Sequence, residues 1–412
     1  MSAAIAISYL DRQTLPIAVS AIGKDIPLSN QQFSTLQSAF LFSYAFMYAG
    51  GGKLSDVLGT RRSFVVIMTF WSLACVSHAF ATGFATLTVS RFLLGMGEGG
   101  GFPTATRAVA EWFPVKESAT AMGIINAGTA VGGVAAAPLI AFILSYLSWR
   151  WVFLITGGIG LLWTAWWWRT YTPPQKLQNE DMLGGNKTEF FTTSHESAPS
   201  MRWIDLLRIR ESWALITAKF LSDAAWYFYL FWLPKYLYDA RGFDIKAVGM
   251  LAWIPYAAAG VGCLAGGWFS SYLVRRNFPL GVARKLTLGL SAGVMPLVIL
   301  VPYVAVSLAI AIFSLAYFGQ QSWSTLIMVL PTDLFPRRVV GSVAGLVGLG
   351  GSFGGIAFGQ LVGYLLDHGL GYSTVFALAG TFHVLAFLVI LAAIPVIQPL
   401  IPEPKLSYQG AR

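Results

Sequence analysis

Four charged residues lie inside otherwise apolar stretches: Asp11 and Arg12 near the start, and Arg91 and Glu98 further on. On an α-helix, the seven residues from Arg91 to Glu98 make close to two turns. Both charges then share one face, roughly 10 Å apart along the axis. A charge at mid-membrane costs roughly 2.5–3.5 kcal/mol on insertion scales and is kept where it faces a bundle interior or a water-filled cavity. One such pair alone reads as a structural ion pair. The second doublet, Asp11-Arg12, shifts the reading toward chemistry. Carboxylates take up and release protons whereas guanidinium groups do not, and an arginine fork matches the geometry of a carboxylate. Two acids and two bases among apolar walls therefore point to a proton relay beside an anion site. The glycines of Gly95-Met-Gly97-Glu-Gly-Gly100-Gly101 strip side chains from this stretch, which permits close helix packing or leaves room for a substrate.

The composition says what kind of element must carry these residues. Of 412 residues, 56% are hydrophobic and only 11% are charged, with mean hydropathy +0.64. Soluble domains carry about 25% charged residues, so the chain is expected to be an all-α integral membrane protein. Its 15 Trp and 16 Tyr suit interfacial belts as well as a binding cavity. The net charge of +9 is assigned to positive-inside loops rather than to nucleic acid. Cys75 and Cys263 both fall in apolar stretches and support neither a disulfide nor a metal site. No cofactor is expected, and no nucleophile–base arrangement suggests an enzyme. The first residues lack the basic region of a signal peptide. They enter an apolar stretch almost at once, as they would if a leader preceding Met1 were missing.

Twelve apolar segments long enough to span a bilayer are read at 2–22, 33–52, 63–82, 84–112, 118–145, 150–168, 212–236, 246–272, 284–301, 304–330, 339–366 and 373–397. Basic residues including Arg61, Arg62, Lys116, Arg275, Arg276, Arg337 and Arg338 fall in alternate loops on one side, together with both termini. That side is expected to be cytoplasmic, in the cytoplasmic membrane. Residues 1–168 and 212–397 read as two six-helix bundles. A polar linker at 169–211 joins them, with an amphipathic end from Met201 to Arg208, and 398–412 form a cytoplasmic tail. The halves echo each other. Gly51-Gly-Lys-Leu-Ser-Asp56-Val-Leu-Gly59-Thr-Arg61-Arg62 follows the second segment, and Gly266-Gly-Trp-Phe-Ser-Ser271-Tyr-Leu-Val-Arg275-Arg276 follows the eighth, the repeat expected of a two-half transporter.

The first of these loops resembles the signature loop of the major facilitator superfamily, with Val57 and Thr60 at positions that are usually basic. The resemblance implies that Asp56, Arg61 and Arg62 gate the cytoplasmic side by pairing with helix ends. Within that superfamily, Tyr9-Leu-Asp11-Arg12, Arg91 to Pro103, Trp149-Arg150 and Tyr227-Phe-Tyr229-Leu-Phe-Trp232-Leu-Pro234 are similar to the anion:cation symporter family. Ala218-Lys219-Phe-Leu-Ser-Asp223 and Gln320-Gln321-Ser-Trp323 resemble its hexuronate branch, with Ser222 and Ala224 where relatives often carry Thr and Pro. The resemblance implies a fold of two pseudo-symmetric six-helix bundles. It also implies protonatable acids at Asp11 and Glu98, a substrate-carboxylate partner at Arg12 and a charge partner at Arg91. If ionised Glu98 holds Arg12, protonating Glu98 frees the guanidinium for cargo, and competition for that one group couples proton to substrate.

Remaining polar residues on the apolar segments are candidates for contacts to substrate hydroxyls: Tyr44, with Tyr48 one turn on; Asn126, with Thr129; and Gln320, Gln321 and Trp323. Lys219 and Asp223, spaced i,i+4, read as a local salt bridge, while His383 and Gln360 read as isolated structural groups. Gly95 to Gly100 formally matches a dinucleotide fingerprint but follows no strand. Asn186-Lys-Thr would lie on the cytoplasmic side and is set aside as a glycosylation acceptor. The expected function is proton-coupled import of a sugar acid by a monomer in the lipid bilayer. Import of an aldonate, tartrate or aromatic carboxylate is the alternative, and a non-transporting receptor of the same fold a more distant one.

Overall fold

The computed structural model describes residues 1–113, 115–172, 203–335, 337–398 and 400. Among these the regular structure is entirely helical, as an apolar chain requires in lipid, where each backbone N–H and C=O must be satisfied internally. α1 (Ser2–Asp25), α2 (Asn30–Ser77), α3 (Phe84–Glu98), α4 (Gly101–Trp112), α5 (Val115–Tyr146) and α6 (Trp149–Thr170) lie before residue 173. From residue 203 onward come α7 (Trp203–Leu206), α8 (Arg210–Asp239), α9 (Ile245–Leu251), α10 (Trp253–Arg275), α11 (Leu280–Gly293), α12 (Val306–Leu334), α13 (Arg337–Asp367) and α14 (Gly371–Ala393). Short 3₁₀ helices follow α2 and α11.

Several boundaries differ from those read in the sequence, each for a local reason. The segments at 33–52 and 63–82 run together as α2, interrupted only by Gly59 at φ +73°, a left-handed conformation that favours glycine. The segment at 84–112 breaks into α3 and α4 across Gly99 and Gly100. Consecutive glycines weaken a helix by about 1 kcal/mol each, and Pro103 sits in the new first turn, where its missing N–H is harmless. The segment at 284–301 stays α-helical only to Gly293 and continues as 3₁₀ from Met295, beside Pro296. Within the amphipathic segment, Trp203–Leu206 form one helical turn, α7, whose Leu206 is fully buried in the second apolar core. Among the described residues, seven helical stretches have the length and apolarity to cross a membrane. α1 is not among them, because Asp11, Arg12 and Gln13 lower its hydropathy.

Helices before and after the linker meet toward the end where α1 joins α2. There Asp367, closing α13, caps the N-terminus of α2: Oδ1 accepts from the Asn30 N–H and side chain at 2.9 Å, and Oδ2 from the Gln31 N–H at 2.8 Å. Gln360 accepts from Gln31 and donates to Ser38 Oγ at 2.8 Å, so it is a cross-link between α13 and α2 rather than an isolated group. α5 meets α9 and α10 where Gly249 seats on Ala141 and Gly133 on Tyr256. The larger apolar core spans helices from both sides of the linker. The second draws only on residues from Leu206 to Ile397. Exposed Phe46, Phe70, Leu73, Phe142, Leu162, Trp166, Leu264 and Trp268 form an apolar exterior that water would not tolerate over such an area.

Candidate functional site

α1 and α3 bring the charged residues together. Arg12 donates through Nε to Glu98 Oε2 at 2.7 Å. Ser8, one turn earlier on α1, donates to the same oxygen at 2.7 Å. Both side chains are almost wholly buried. The Arg12 guanidinium lies over the rings of Tyr44 at 4.5 Å, Tyr9 at 4.7 Å and Phe40 at 5.4 Å, where ring quadrupoles favour a cation. Glu98 therefore engages only the Nε edge. The rest of the guanidinium is packed among the tyrosine rings.

Asp11 faces the other way, as the 100° step between neighbouring helical residues dictates. Its Oδ1 accepts from Cys75 Sγ at 3.5 Å, and that sulfur also contacts Thr156 Oγ1 at 3.3 Å. Arg91 is fully buried, its guanidinium accepted by no hydrogen-bond partner. It lies within electrostatic reach of both Asp11 and Glu98. Asp11 Oδ2 and Glu98 Oε1 are likewise buried without a hydrogen bond. The two acids thus occupy separate pockets, with a single unmatched cation in reach of both.

The glycines of α3 and α4 set this geometry by close packing, not by opening a cavity. A Cβ on Gly97 would come within 2.8 Å of Trp71 Cα. One on Gly99 would meet Tyr44 O at 2.6 Å, and one on Gly51 would meet Gly100 Cα at 2.6 Å. Backbone lies against backbone, which fixes how far Glu98 stands from α1.

The other expected site residues divide. Tyr44 belongs to the ring around Arg12. Asn126 does not: it is exposed on α5, and Gly128 abuts Ser2 while Gly132 abuts Ala6 and Tyr9. That register puts Asn126 near the level of Ser2, about 15 Å along α1 from Arg12. Gln320 and Trp323 also depart from expectation. Both are buried, Gln320 hydrogen-bonded to His383 Nε2 and the Trp323 ring edge-on to His383 at 5.6 Å. Residues 320, 323 and 327 share the inward face of α12, whereas Gln321, part-exposed, lies on another. Lys219 and Asp223 pair at 2.9 Å.

At the linker end, Arg61 donates to the Trp168 carbonyl at the C-terminal end of α6 and stacks over the Trp168 ring at 4.4 Å. This is a helix-end contact between two elements that both precede the linker. Thr60 donates to Glu111 at 2.7 Å. Arg62 is exposed, and the Asp56 side chain lies outside the described residues. Sequence reasoning missed Ser8, Phe40, Cys75 and Thr156. Only Ser8 carried a signal, its i,i+4 spacing to Arg12. Among the described residues no cluster of His, Cys, Asp and Glu is arranged to hold a metal.

Helices this apolar, packed around buried charge, define an integral membrane transporter rather than an enzyme. The chain belongs to the Major Facilitator Superfamily, whose family profile matches residues 1–359. It is 30% identical over 397 residues to the hexuronate transporter of Escherichia coli (strain K12), covering 93% of this chain and 90% of that one. It is 32% identical over 300 residues to the galacturonate transporter of Dickeya chrysanthemi, covering 70% and 85%. Its fold is similar to that of a D-xylose-proton symporter, with TM-score 0.72 at 15% identity, covering 96% of this chain and 97% of the other.

Proposed function

We propose that this protein imports a hexuronate-like sugar acid together with protons, by alternating access between two six-helix halves, 1–168 and 212–397, joined by the linker 169–211. The observation that carries the reading is the buried Arg12 guanidinium, held through Nε by Glu98 and lying over three aromatic rings. The relatives' sugar-acid substrates support the choice of cargo.

The coupling follows from one shared group. Ionised Glu98 keeps Arg12 turned toward α3. Protonation removes the charge that holds Nε, and the guanidinium turns its fork to the cargo carboxylate. Asp11, in its own pocket, supplies a second proton site, with Arg91 balancing whichever acid is ionised. With two protons per monoanion the cycle carries one net charge inward, and the membrane potential adds roughly 2.3 kcal/mol per 100 mV. The polar clasp between α2 and α13 supports a state closed toward the outside. Positive loop charges support both termini lying in the cytoplasm, with the monomer as the working unit.

The test is uptake of labelled glucuronate into proteoliposomes carrying an inward proton gradient. Accumulation should collapse with a protonophore and deepen under an inside-negative potential. Accumulation that is indifferent to the gradient overturns proton coupling, and absence of any sugar-acid uptake overturns the cargo.

A further inference from the structure

On the exterior of the bundle, a groove of about 510 Å³ runs where α5 meets α9 and the first residue of α10. Its lining recurs at i, i+3, i+4 and i+7 on both sides, from position 138 on α5 and from position 246 on α9. One face of each helix is therefore turned to the other. Ala141 and Gly249 make the floor: a Cβ on Gly249 would fall 2.3 Å from the Ala141 Cβ. Residues this small let the helices close on each other and leave the space above them unfilled. Phe142, Met250 and Trp253 stand around it, 65%, 68% and 37% exposed. Lys246, on the first turn of α9, stands at the end of the groove where α1 joins α2. Trp253 lies seven residues on, roughly 10 Å further along. Three other basic side chains at this end are engaged. Arg150 pairs with Asp25 at 2.7 Å, Lys235 pairs with Asp239, and Arg241 donates to the Val304 carbonyl at 2.9 Å. Lys246 is exposed and pairs with no carboxylate among the described residues. Asp244, two positions earlier, is committed to capping α9, where it accepts from the Ala247 N–H at 2.8 Å.

We propose that this groove docks one anionic phospholipid of the surrounding bilayer, with its phosphate on Lys246 and one acyl chain along Phe142, Met250 and Trp253. The assignment goes beyond the transport reading and holds for any cargo. Charge and depth carry it together. A lysine near a helix end lays its stem on apolar surface and carries its ammonium to the headgroup level. An unmatched ammonium there attracts a phosphate, and a lipid of net negative charge offers one without a cation of its own. Further along, the trough admits a chain that a smooth helix face would leave in the bulk, and a chain seated there gains contacts from both walls and the floor. The volume is that of a small-molecule site, roughly 300–1,000 Å³. Because α5 lies before residue 173 and α9 after residue 203, the bound lipid fastens two distant parts of the chain to each other.

The experiment counts lipids retained per protein molecule by native mass spectrometry and follows the melting temperature in dodecyl maltoside. Three probes are used: dioleoylphosphatidylglycerol, the zwitterionic dioleoylphosphatidylcholine, and inorganic phosphate. Wild type should retain one phosphatidylglycerol in preference to phosphatidylcholine and melt higher with it, while inorganic phosphate should change nothing. Lys246→Gln should weaken retention about fivefold, the value of one basic residue at an anionic lipid surface, and Lys246→Arg should retain the lipid as wild type does. Lys24→Gln removes an exposed lysine at the same end of the bundle but outside the groove, and should leave retention unchanged. Ser145→Trp, at an exposed position on the groove wall, should displace the lipid with Lys246 still in place. Equal retention of the two lipids by wild type overturns the site, as does equal retention of phosphatidylglycerol by wild type and Lys246→Gln. A loss in Lys24→Gln as large as in Lys246→Gln marks a diffuse charge effect and overturns it too. Stabilisation by inorganic phosphate as great as by the lipid, or retention that survives Ser145→Trp, removes the acyl chain from the groove and the proposal with it. A lipid-free dimer assigns the groove to a second copy of the chain and overturns it as well.

Discussion

At the residue scale, the site depends on one guanidinium with two edges. Glu98→Gln removes the charge that competes for Arg12, so that proton-driven accumulation should be lost while counterflow exchange of substrate persists. Normal active uptake by this variant would take Glu98 out of the mechanism. Arg12→Lys keeps the charge but loses the planar fork. Its KM for glucuronate should rise at least about tenfold, the value of one charge-assisted hydrogen bond, and a KM within twofold of wild type would count against the carboxylate assignment. These residues were legible in the sequence because charge inside an apolar run is rare and costly. Gln320 was less legible for a related reason: polarity within an apolar helix shows that a partner exists without saying whether it is cargo or, as here, His383.

At the element scale, helix existence followed from apolar runs, but the breaks did not. Hydropathy carries no mark of the turn at Gly59, and none of the interruption at Gly99 and Gly100, because glycine is neutral on that scale. The register of α5 on α1, which removes Asn126 from the site, is set by Gly128 and Gly132 meeting a neighbour that only tertiary structure supplies. Gly97→Ala tests the seam. Its methyl would press on Trp71 Cα, and overpacking of this kind costs about 1–3 kcal/mol. The melting temperature in detergent should fall even though alanine is the better helix former. A second element-level contact lies at the far end of α1, where Arg150 and Trp149 donate to Asp25 at 2.7 and 2.9 Å. The Arg150 hydrogen bond, and then that of Trp149, hold the Asp25 carboxyl below its ordinary value. The stability this contributes is present above the ordinary carboxylate range and is lost as pH falls through the depressed value. Asp25→Asn should therefore flatten the acid limb of a melting-temperature profile while leaving activity at neutral pH close to wild type.

At the scale of the whole molecule, the proposed alternating access makes the contacts between α2 and α13 the seal of one face. Asp367 gives α2 an N-terminal cap from a helix more than 300 residues later in the chain. Nothing in the sequence near Asp367 marks it as a cap, because two of its three hydrogen bonds come from backbone N–H groups that any residue supplies. Asp367→Ala removes three hydrogen bonds to a carboxylate at an exposed site. A loss of about 1–2 kcal/mol would shift the balance toward the outward-open state roughly tenfold. Distances between spin labels on Asn30 and His368 should then broaden toward longer values. An unchanged distribution would show that the close packing of Gly249 on Ala141, and of Gly363 in α13 on Asn30 and Gln31, holds this face closed without Asp367.

The glycine seam has a thermal consequence. Most helix pairs loosen on warming because interdigitated side chains regain rotamers. Where α3 and α4 cross α2, peptide units rest on peptide units and there are few rotamers to regain. The carboxylate of Glu98 projects from that stiff junction, and its guanidinium partner rides on α1, which Gly128 and Gly132 of α5 seat against the Ser2 and Ala6 carbonyls in the same way. Heat should therefore leave the alignment of the pair intact until the crossings themselves give way.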